Sequence, residues 1–308
     1  MNRHDDQASP YAGLVDADAH DQWAFGTSFD DPLAGVDTTL ADGIDGADLA
    51  TYCVMLADDA LICTQRLAQW CTNAPEIEEE LALANIGLDL LGQARLLLAR
   101  AAAADPTIVP ALPEGSPVPA EDALAFFRDE PAFRCVRLVE LANGDFAHSI
   151  TRLLAFSTFR LAALQRLGGS RDPVLAAVAT KGVKELTYHR DYAARWFITL
   201  AGGTGESRRR LEQAITAVWP YVDELFRPNP VEQRLVAVGA AVDSSTLRGE
   251  FDSVVGQVFR ASEWSPPTVL PASLVASRSG RDGIHTQALS YLLAEMQSVA
   301  RAHPTGTW

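Results

Sequence analysis

Apolar residues recur every three or four positions along the chain from Gly46 onward, and runs of alternating β-branched residues are missing. This spacing places apolar side chains on one face of an α-helix. The sequence therefore predicts an all-α protein with short Pro-rich joints near 106–119 and 265–272. The predicted helices cover 47–72, 76–104, 133–167, 173–201, 205–226, 230–240, 245–260 and 285–302.

Helix starts and stops support these boundaries. Asp172-Pro173 and Asn229-Pro230 place a capping residue directly before a proline, which is typical of a helix start. Gly168-Gly169 and Gly202-Gly203 supply stops. Four helices of about 25 to 35 residues span roughly 35 to 50 Å each. They are long enough for an antiparallel four-helix bundle with additional peripheral helices packed outside it.

Composition favours a soluble cytoplasmic protein. The most apolar run, 81–104, carries Asp89, Arg95 and Arg100, so no membrane span is expected. The N-terminus has no apolar stretch typical of a secretory signal. The four cysteines form no C-x-x-C pair and are expected to be reduced.

The negative charge is concentrated at the N-terminus. The first fifty residues hold eleven Asp against one Arg, a net −10 of the chain's −15. This segment also lacks a clear apolar period, which predicts a flexible acidic arm over 1–45 and a helical domain over 46–308. The acidic balance and the lack of a basic stripe argue against a nucleic-acid partner.

Polar residues interrupt the apolar faces of the long helices. Asn85, Asp89 and Gln93 share one stripe. Lys181, Glu185 and His189 share another, with Lys184 beside it. Buried polar groups need partners, so converging stripes imply either a metal or a hydrogen-bond network. The residues assigned to this network are Asp59, Asn85, Asp89, Glu140, Lys184, Glu185 and His189.

The ligand count disfavours a metal. A di-iron bundle needs a Glu-x-x-His on each of two helices and a Glu on each of two others. Glu185 and His189 are four residues apart instead of three, and the Asp89 segment has no histidine. We therefore expect no metal and no catalytic residue in this chain. In this hypothesis the ammonium of one of the two lysines, Lys184 in the first place and otherwise Lys181, takes the place of the metal charge beside Asp89 and Glu185. The alternative is that both lysines lie on the solvated face.

Several motifs together resemble the structural C subunits of bacterial phenylacetyl-CoA epoxidases, in the same order from about 52 to 308. They are LANIGLDLLGQAR (83–95), FRDE (127–130), NGDF (143–146), KELTYH (184–189), GIHT (283–286) and LAEMQ (293–297). The resemblance implies a ferritin-like subunit without iron that binds the homologous catalytic A subunit, which holds the di-iron centre. It also implies accessory subunits and a reductase that carries FAD and an iron–sulfur cluster and takes electrons from NADPH. Such a complex converts phenylacetyl-CoA to its 1,2-epoxide.

The resemblance further implies that the chain contributes to the edge of the pocket for the CoA thioester, with phenylacetyl-CoA at or near the interface. The matching positions are Ala132, Phe133, Arg134, Cys135, Gln233, Arg234 and Leu235. The acidic leader and the Pro-rich stretch near 106–119 depart from the family pattern, as do the side-chain types at Ala132, Arg134 and Cys135.

Two alternatives stay open at this point. The first is a self-sufficient di-iron carboxylate oxygenase that uses Asp89, Glu140, Glu185 and a histidine. The second is an unrelated helical interaction protein. Iron content separates the first alternative from a scaffold subunit, and co-expression with a catalytic subunit tests the second.

Overall fold

The computed structural model describes residues 31–274 and 277–306. Within these ranges the chain forms eleven α-helices and no β-strand, so the all-α prediction is confirmed. The helices are α1 (Gly46–Ala68), α2 (Ile77–Ala104), α3 (Ala120–Phe126), α4 (Arg137–Glu140), α5 (Phe146–Leu167), α6 (Pro173–Gly202), α7 (Gly205–Val218), α8 (Pro230–Ala237), α9 (Arg248–Ala261), α10 (Gln287–Met296) and α11 (Ser298–Ala302). Short 3-10 turns lie at Pro106–Ile108, Glu130–Ala132, Trp219–Phe226, Ser244–Leu247 and Gly280–Asp282.

The four longest helices form the core. Short connections make two hairpins, α1 with α2 and α5 with α6, and α2 also packs on α6. Each of these helices buries an apolar face in the core, and α7 and α9 cover α5 from outside. Helix stability here comes from this burial, because apolar area removed from water contributes about 25 cal/mol per Å².

The helix predicted over 133–167 is broken in two. Residues 133–136 are extended, α4 is a single turn, and α5 starts only at Phe146. Gly144 has a left-handed φ of 59°, and the Asp145 side chain accepts a hydrogen bond from the His148 N–H and caps α5. A residue with positive φ cannot continue a right-handed helix, so apolar periodicity alone misplaced this boundary.

Most of the predicted acidic arm, 1–30, lies outside the described residues. The described part, 31–45, contacts the helical body. Leu33 and Ile44 are buried, and the Arg100 guanidinium donates to the Thr38 carbonyl at 2.7 Å. The division at 45/46 stays a prediction.

Among the described residues, α2 is the helix that is long and apolar enough to cross a membrane by length and composition. A core helix of a water-soluble protein passes the same test. Leu83, Leu90 and Leu97 of α2 are buried against the neighbouring helices, so α2 is a core helix here.

Candidate functional site: a polar layer without a metal-ligand set

A polar layer crosses the core between α2, α5 and α6. The Gln93 amide donates to Glu185 Oε2 at 2.8 Å, and its carbonyl oxygen accepts from Arg160 Nε at 3.0 Å. Arg160 Nη1 donates to the Leu56 carbonyl of α1 at 3.0 Å. The buried guanidinium of Arg160 therefore joins α5 directly to α1 and α2, and through Gln93 to α6.

Close packing of α6 makes this layer possible. A Cβ atom at Gly182 would lie 2.6 Å from Leu164 Cδ1 and 3.2 Å from Gln93 Nε2. A larger residue here would have to displace the Leu164 and Gln93 side chains, so glycine leaves the Gln93 amide in place to reach Glu185. Burial lowers the pKa of Arg160, and the nearby charge of Asp59 partly opposes this effect.

The second pair of the layer joins α2 to α6. His189 Nε2 lies 3.0 Å from Asp89 Oδ2. The imidazole is fully buried, whereas the Asp89 side chain is 38% exposed. Burial lowers the pKa of His189, while the hydrogen bond and the charge of Asp89 oppose the shift. The structure thus brings together three of the residues assigned to the network, Asp89, Glu185 and His189.

Two other residues assigned to the network are not part of the layer. Asn85 and Lys184 are exposed, so their side chains lie on the solvent side of α2 and α6. The lysine that approaches Glu185 is Lys181, at 3.6 Å and itself 68% exposed. The hypothesis that Lys184 supplies the buried positive charge is therefore wrong, because that charge comes from Arg160 on α5. The signal in the sequence was an arginine inside the apolar run 153–164.

Asp59 belongs to a different cluster. Its carboxylate forms a two-fold ion pair with Arg281, with nitrogen–oxygen distances of 2.7 and 3.0 Å, and accepts from the Val136 N–H at 2.9 Å. The preceding Asp58 binds Arg128 and the Arg134 N–H. These acids hold the extended segment 133–136 and the 280–285 segment against α1.

Glu140 lies in a third cluster, with His285. His285 Nδ1 is 3.0 Å from Glu140 Oε2, and the Thr286 N–H donates to Oε1 at 2.7 Å. Both side chains of the His285–Glu140 pair are fully buried. Burial raises the pKa of Glu140, whereas its hydrogen bonds with His285 and Thr286 act to lower it. Burial lowers the pKa of His285, but the hydrogen bond and charge of Glu140, together with the hydrogen bond to the Phe133 carbonyl and the charge of Glu130, make the net shift upward.

The polar layer does not fit a di-iron centre. Its carboxylates are one from α2 and one from α6, whereas such a centre needs four helices to supply ligands. α5 supplies a guanidinium and α1 a backbone carbonyl, and a cation in the layer repels a metal ion. The ligand set of the oxygenase alternative is not assembled either, because Glu140 pairs with His285 instead of joining Asp89 and Glu185.

The residues predicted to contact substrate lie in two segments, 132–135 and 233–235, which are attached to α1 at different points along its length. Ala132 and Arg134 reach the surface, whereas Phe133 and Cys135 are fully buried. In α8, Gln233 is exposed and Leu235 is buried.

Arg234 is exposed and pairs with Asp48 at 2.5 and 2.6 Å. Asp48 precedes Asp58, which binds the Arg134 N–H, by ten residues along α1, about 15 Å at the rise of a helix. The predicted contacts 132–135 and 233–235 are thus attached to two separate levels of the same helix.

Over the residues that the structure describes, the chain is an all-α protein whose core carries acid–arginine and amide contacts between its helices and the segments packed on them. The chain belongs to the family described as phenylacetic acid catabolic protein, which it matches over residues 39–308. It is similar to the C subunit of the 1,2-phenylacetyl-CoA epoxidase of Escherichia coli (strain K12), at 40% identity over 260 residues. The match covers 84% of this chain and 99% of the relative.

Proposed function

We propose that this chain is the non-catalytic C subunit of a phenylacetyl-CoA epoxidase that serves phenylacetate catabolism. In this proposal α1, α2, α5 and α6 are a ferritin-like antiparallel four-helix bundle, and the other helices are peripheral. The family match, the similarity to the C subunit of the E. coli enzyme and the all-helical fold support it. The chain works in the cytoplasm and holds the catalytic A subunit in its active form.

The buried guanidinium of Arg160 is the observation that carries the non-catalytic part of the proposal. It is 2% exposed and its Nε and Nη1 groups donate to α2 and α1. In the proposed complex the di-iron centre is in the A subunit, and NADPH, FAD and an iron–sulfur cluster serve the reductase. This chain contributes a rigid surface.

An apolar stripe on α2 supports a partner at that surface. Ile77, Leu81, Leu88 and Leu91 are 69%, 59%, 63% and 39% exposed. Their spacing places them within one face of the helix. Four large apolar side chains aligned on a solvent-facing helix are typical of a protein contact. We infer that this α2 stripe faces the A subunit.

The test is co-expression with the A subunit, followed by gel filtration and by turnover of phenylacetyl-CoA with the reductase present. The wild-type chain should co-elute with the A subunit and restore turnover. Leu88→Glu should weaken the complex by about 30-fold or more, the effect of losing a central apolar contact of about 2 kcal/mol. Leu270→Glu is the matched control, since Leu270 is an 88% exposed leucine outside the stripe.

Two results would count against the proposal. A wild-type chain that neither binds the A subunit nor restores turnover removes the subunit role. A purified wild-type chain that turns over phenylacetyl-CoA without the A subunit removes the non-catalytic assignment. Equal binding by the two variants would leave the subunit role in place and move the interface away from α2.

Substrate contact by this chain is the finer part of the proposal. Arg134 is the charged member of 132–135, and its guanidinium donates to the Pro131 and Phe133 carbonyls. A cation held at the surface in this way can bind a CoA phosphate. In the assembled complex Arg134→Ala should raise the KM for phenylacetyl-CoA and leave kcat unchanged. Arg260→Ala is the control and should change neither, because Arg260 is an exposed arginine on α9, away from that segment.

A further inference from the structure

Three buried side chains outside the polar layer converge on one point. Cys135 lies in the extended segment 133–136, Glu140 ends α4, and His285 precedes α10. Their ligand atoms, a sulfur, a carboxylate oxygen and an imidazole nitrogen, all lie within 4.8 Å of one another. Cys135 Sγ is 4.0 Å and Glu140 Oε2 is 3.0 Å from the same atom, His285 Nδ1.

The outer contacts of the cluster orient these atoms inward. His285 Nε2 lies 3.1 Å from the Phe133 carbonyl, and a carbonyl can only accept, so Nε2 carries a proton and Nδ1 faces the cluster. Glu140 Oε1 accepts from the Thr286 N–H, which leaves Oε2 directed at Nδ1. A ligating histidine that donates its other N–H to a carbonyl is the usual arrangement around a bound metal.

Backbone packing fixes the histidine in this position. A Cβ atom at Gly280 would collide with the Cys135 carbonyl, and one at Gly283 would collide with the Pro131 carbonyl. Gly283 also has a left-handed φ of 76°. Because both positions are glycine, the turn Gly280–Asp282 lies directly on the segment that carries Cys135.

We propose that Cys135, Glu140 and His285 form a mononuclear zinc site that joins the C-terminal segment to the α4 region. Thiolate, imidazole and carboxylate together are donors typical of Zn²⁺, and three protein ligands leave the fourth position for a water molecule. Zinc bonds of about 2.0 to 2.3 Å put tetrahedral ligand atoms roughly 3.3 to 3.6 Å apart. The side chains would thus move by less than about 1 Å to close on the ion.

Binding exchanges protons for the metal. The Cys135 thiol loses its proton to solvent, and so does the Nδ1–H···Oε2 pair that His285 and Glu140 form without the ion. The site differs from the di-iron set in its residues and position, and it departs from our expectation from the sequence that the chain holds no metal. It does not rest on the proposed function, because the chain alone can be assayed.

The experiment uses the full chain with Cys71→Ser, which removes the exposed cysteine. The protein is expressed in zinc-supplemented medium. The ligand side chains are buried in the folded chain, so the ion has to bind during folding, when the 280–286 segment packs onto 133–136. After desalting, metal analysis should find one zinc per chain. Cobalt substitution should give an intense near-ultraviolet thiolate-to-cobalt band, and zinc should raise the Tm.

Adding Cys135→Ser should abolish the zinc, the cobalt band and the zinc-dependent rise in Tm. The matched control is Cys63→Ser in the same background, another buried cysteine, which should keep all three. A Cys71→Ser chain without zinc and without the cobalt band overturns the proposal, as does equal zinc in the Cys135→Ser and Cys63→Ser variants. If Cys135→Ser does not fold, the cobalt band of the parent chain decides, and Glu140→Gln replaces it as the binding variant.

Discussion

Breaking the ion pair between Arg281 and Asp59 should make the stability of the protein depend strongly on pH, through the Asp59 carboxyl that is left without its partner. Arg281 donates to both oxygens of Asp59 and also to the Met55 and Arg134 carbonyls. Arg281→Met removes these bonds and leaves the Asp59 carboxylate, 1% exposed, with the Val136 N–H. Breaking one side of a buried ion pair costs about 3 to 5 kcal/mol.

Protonation limits that cost. Burial already raises the pKa of Asp59 above its ordinary value of 3.8, with Arg281 opposing the shift, and loss of Arg281 raises it further. An acid with a raised pKa in the folded protein binds more protons folded than unfolded, so stability falls as pH rises above 3.8. Protonating such a carboxyl costs about 4 kcal/mol at pH 7 and about 2 kcal/mol at pH 5.

Wild-type Asp59, with its raised pKa, already carries part of this cost, so we expect Arg281→Met to lose up to about 4 kcal/mol of unfolding free energy at pH 7 and up to about 2 kcal/mol at pH 5 relative to the wild type, measured by urea denaturation. Adding Asp59→Asn should recover most of the loss and remove its pH dependence. Arg278→Met is the control, because this exposed arginine lies three residues away and should change stability by less than about 0.5 kcal/mol. A loss at pH 7 no larger than that of the control, or one that does not shrink at pH 5, would refute the reasoning.

Three further perturbations test other parts of the structure. Gly280→Ala should lower the unfolding free energy by about 2 kcal/mol or more, because the new methyl group meets the Cys135 carbonyl, whereas Gly249→Ala in open space on α9 should be neutral or slightly stabilising in the same urea assay. Lys184→Met should change the Tm by no more than a degree or two, since the side chain is exposed, and a large drop would restore a structural role for this lysine. Burial and the charge of Arg152 lower the pKa of His148 from 6.5 to about 4. The unfolded chain therefore takes up this proton first, and stability should fall by up to about 3 kcal/mol between pH 6.5 and 4, a loss that His148→Gln should reduce in calorimetry across that range.

The long helices were predictable because each carries an unbroken apolar period. α1, α2 and α6 begin and end within a few residues of the predicted bounds. The break before α5 was not predicted, although Asn143-Gly144-Asp145 contains both a turn residue and a helix cap. The apolar period on either side masked this local signal.

The polar layer was predictable only in part. Asp89, Glu185 and His189 were found because helical spacing relates residues on one helix. The approach of Arg160 from α5 depends on how α5 packs against α2, which no spacing within one helix encodes. The pairing of Glu140 with His285, 145 residues later, is likewise a property of the tertiary fold.

Two consecutive acids on α1, Asp58 and Asp59, are explained by ion pairs with distant segments. Metal ligands on one helix must share a face, which requires a spacing of three or four, whereas adjacent residues point about 100° apart. Asp58 and Asp59 accordingly bind different arginines, Arg128 and Arg281, which are 153 positions apart in sequence. Each pair holds one segment against α1. Removing either arginine leaves a buried carboxylate without its ion-pair partner. Adjacent acids that each bind their own arginine therefore act as two anchor points for distant segments.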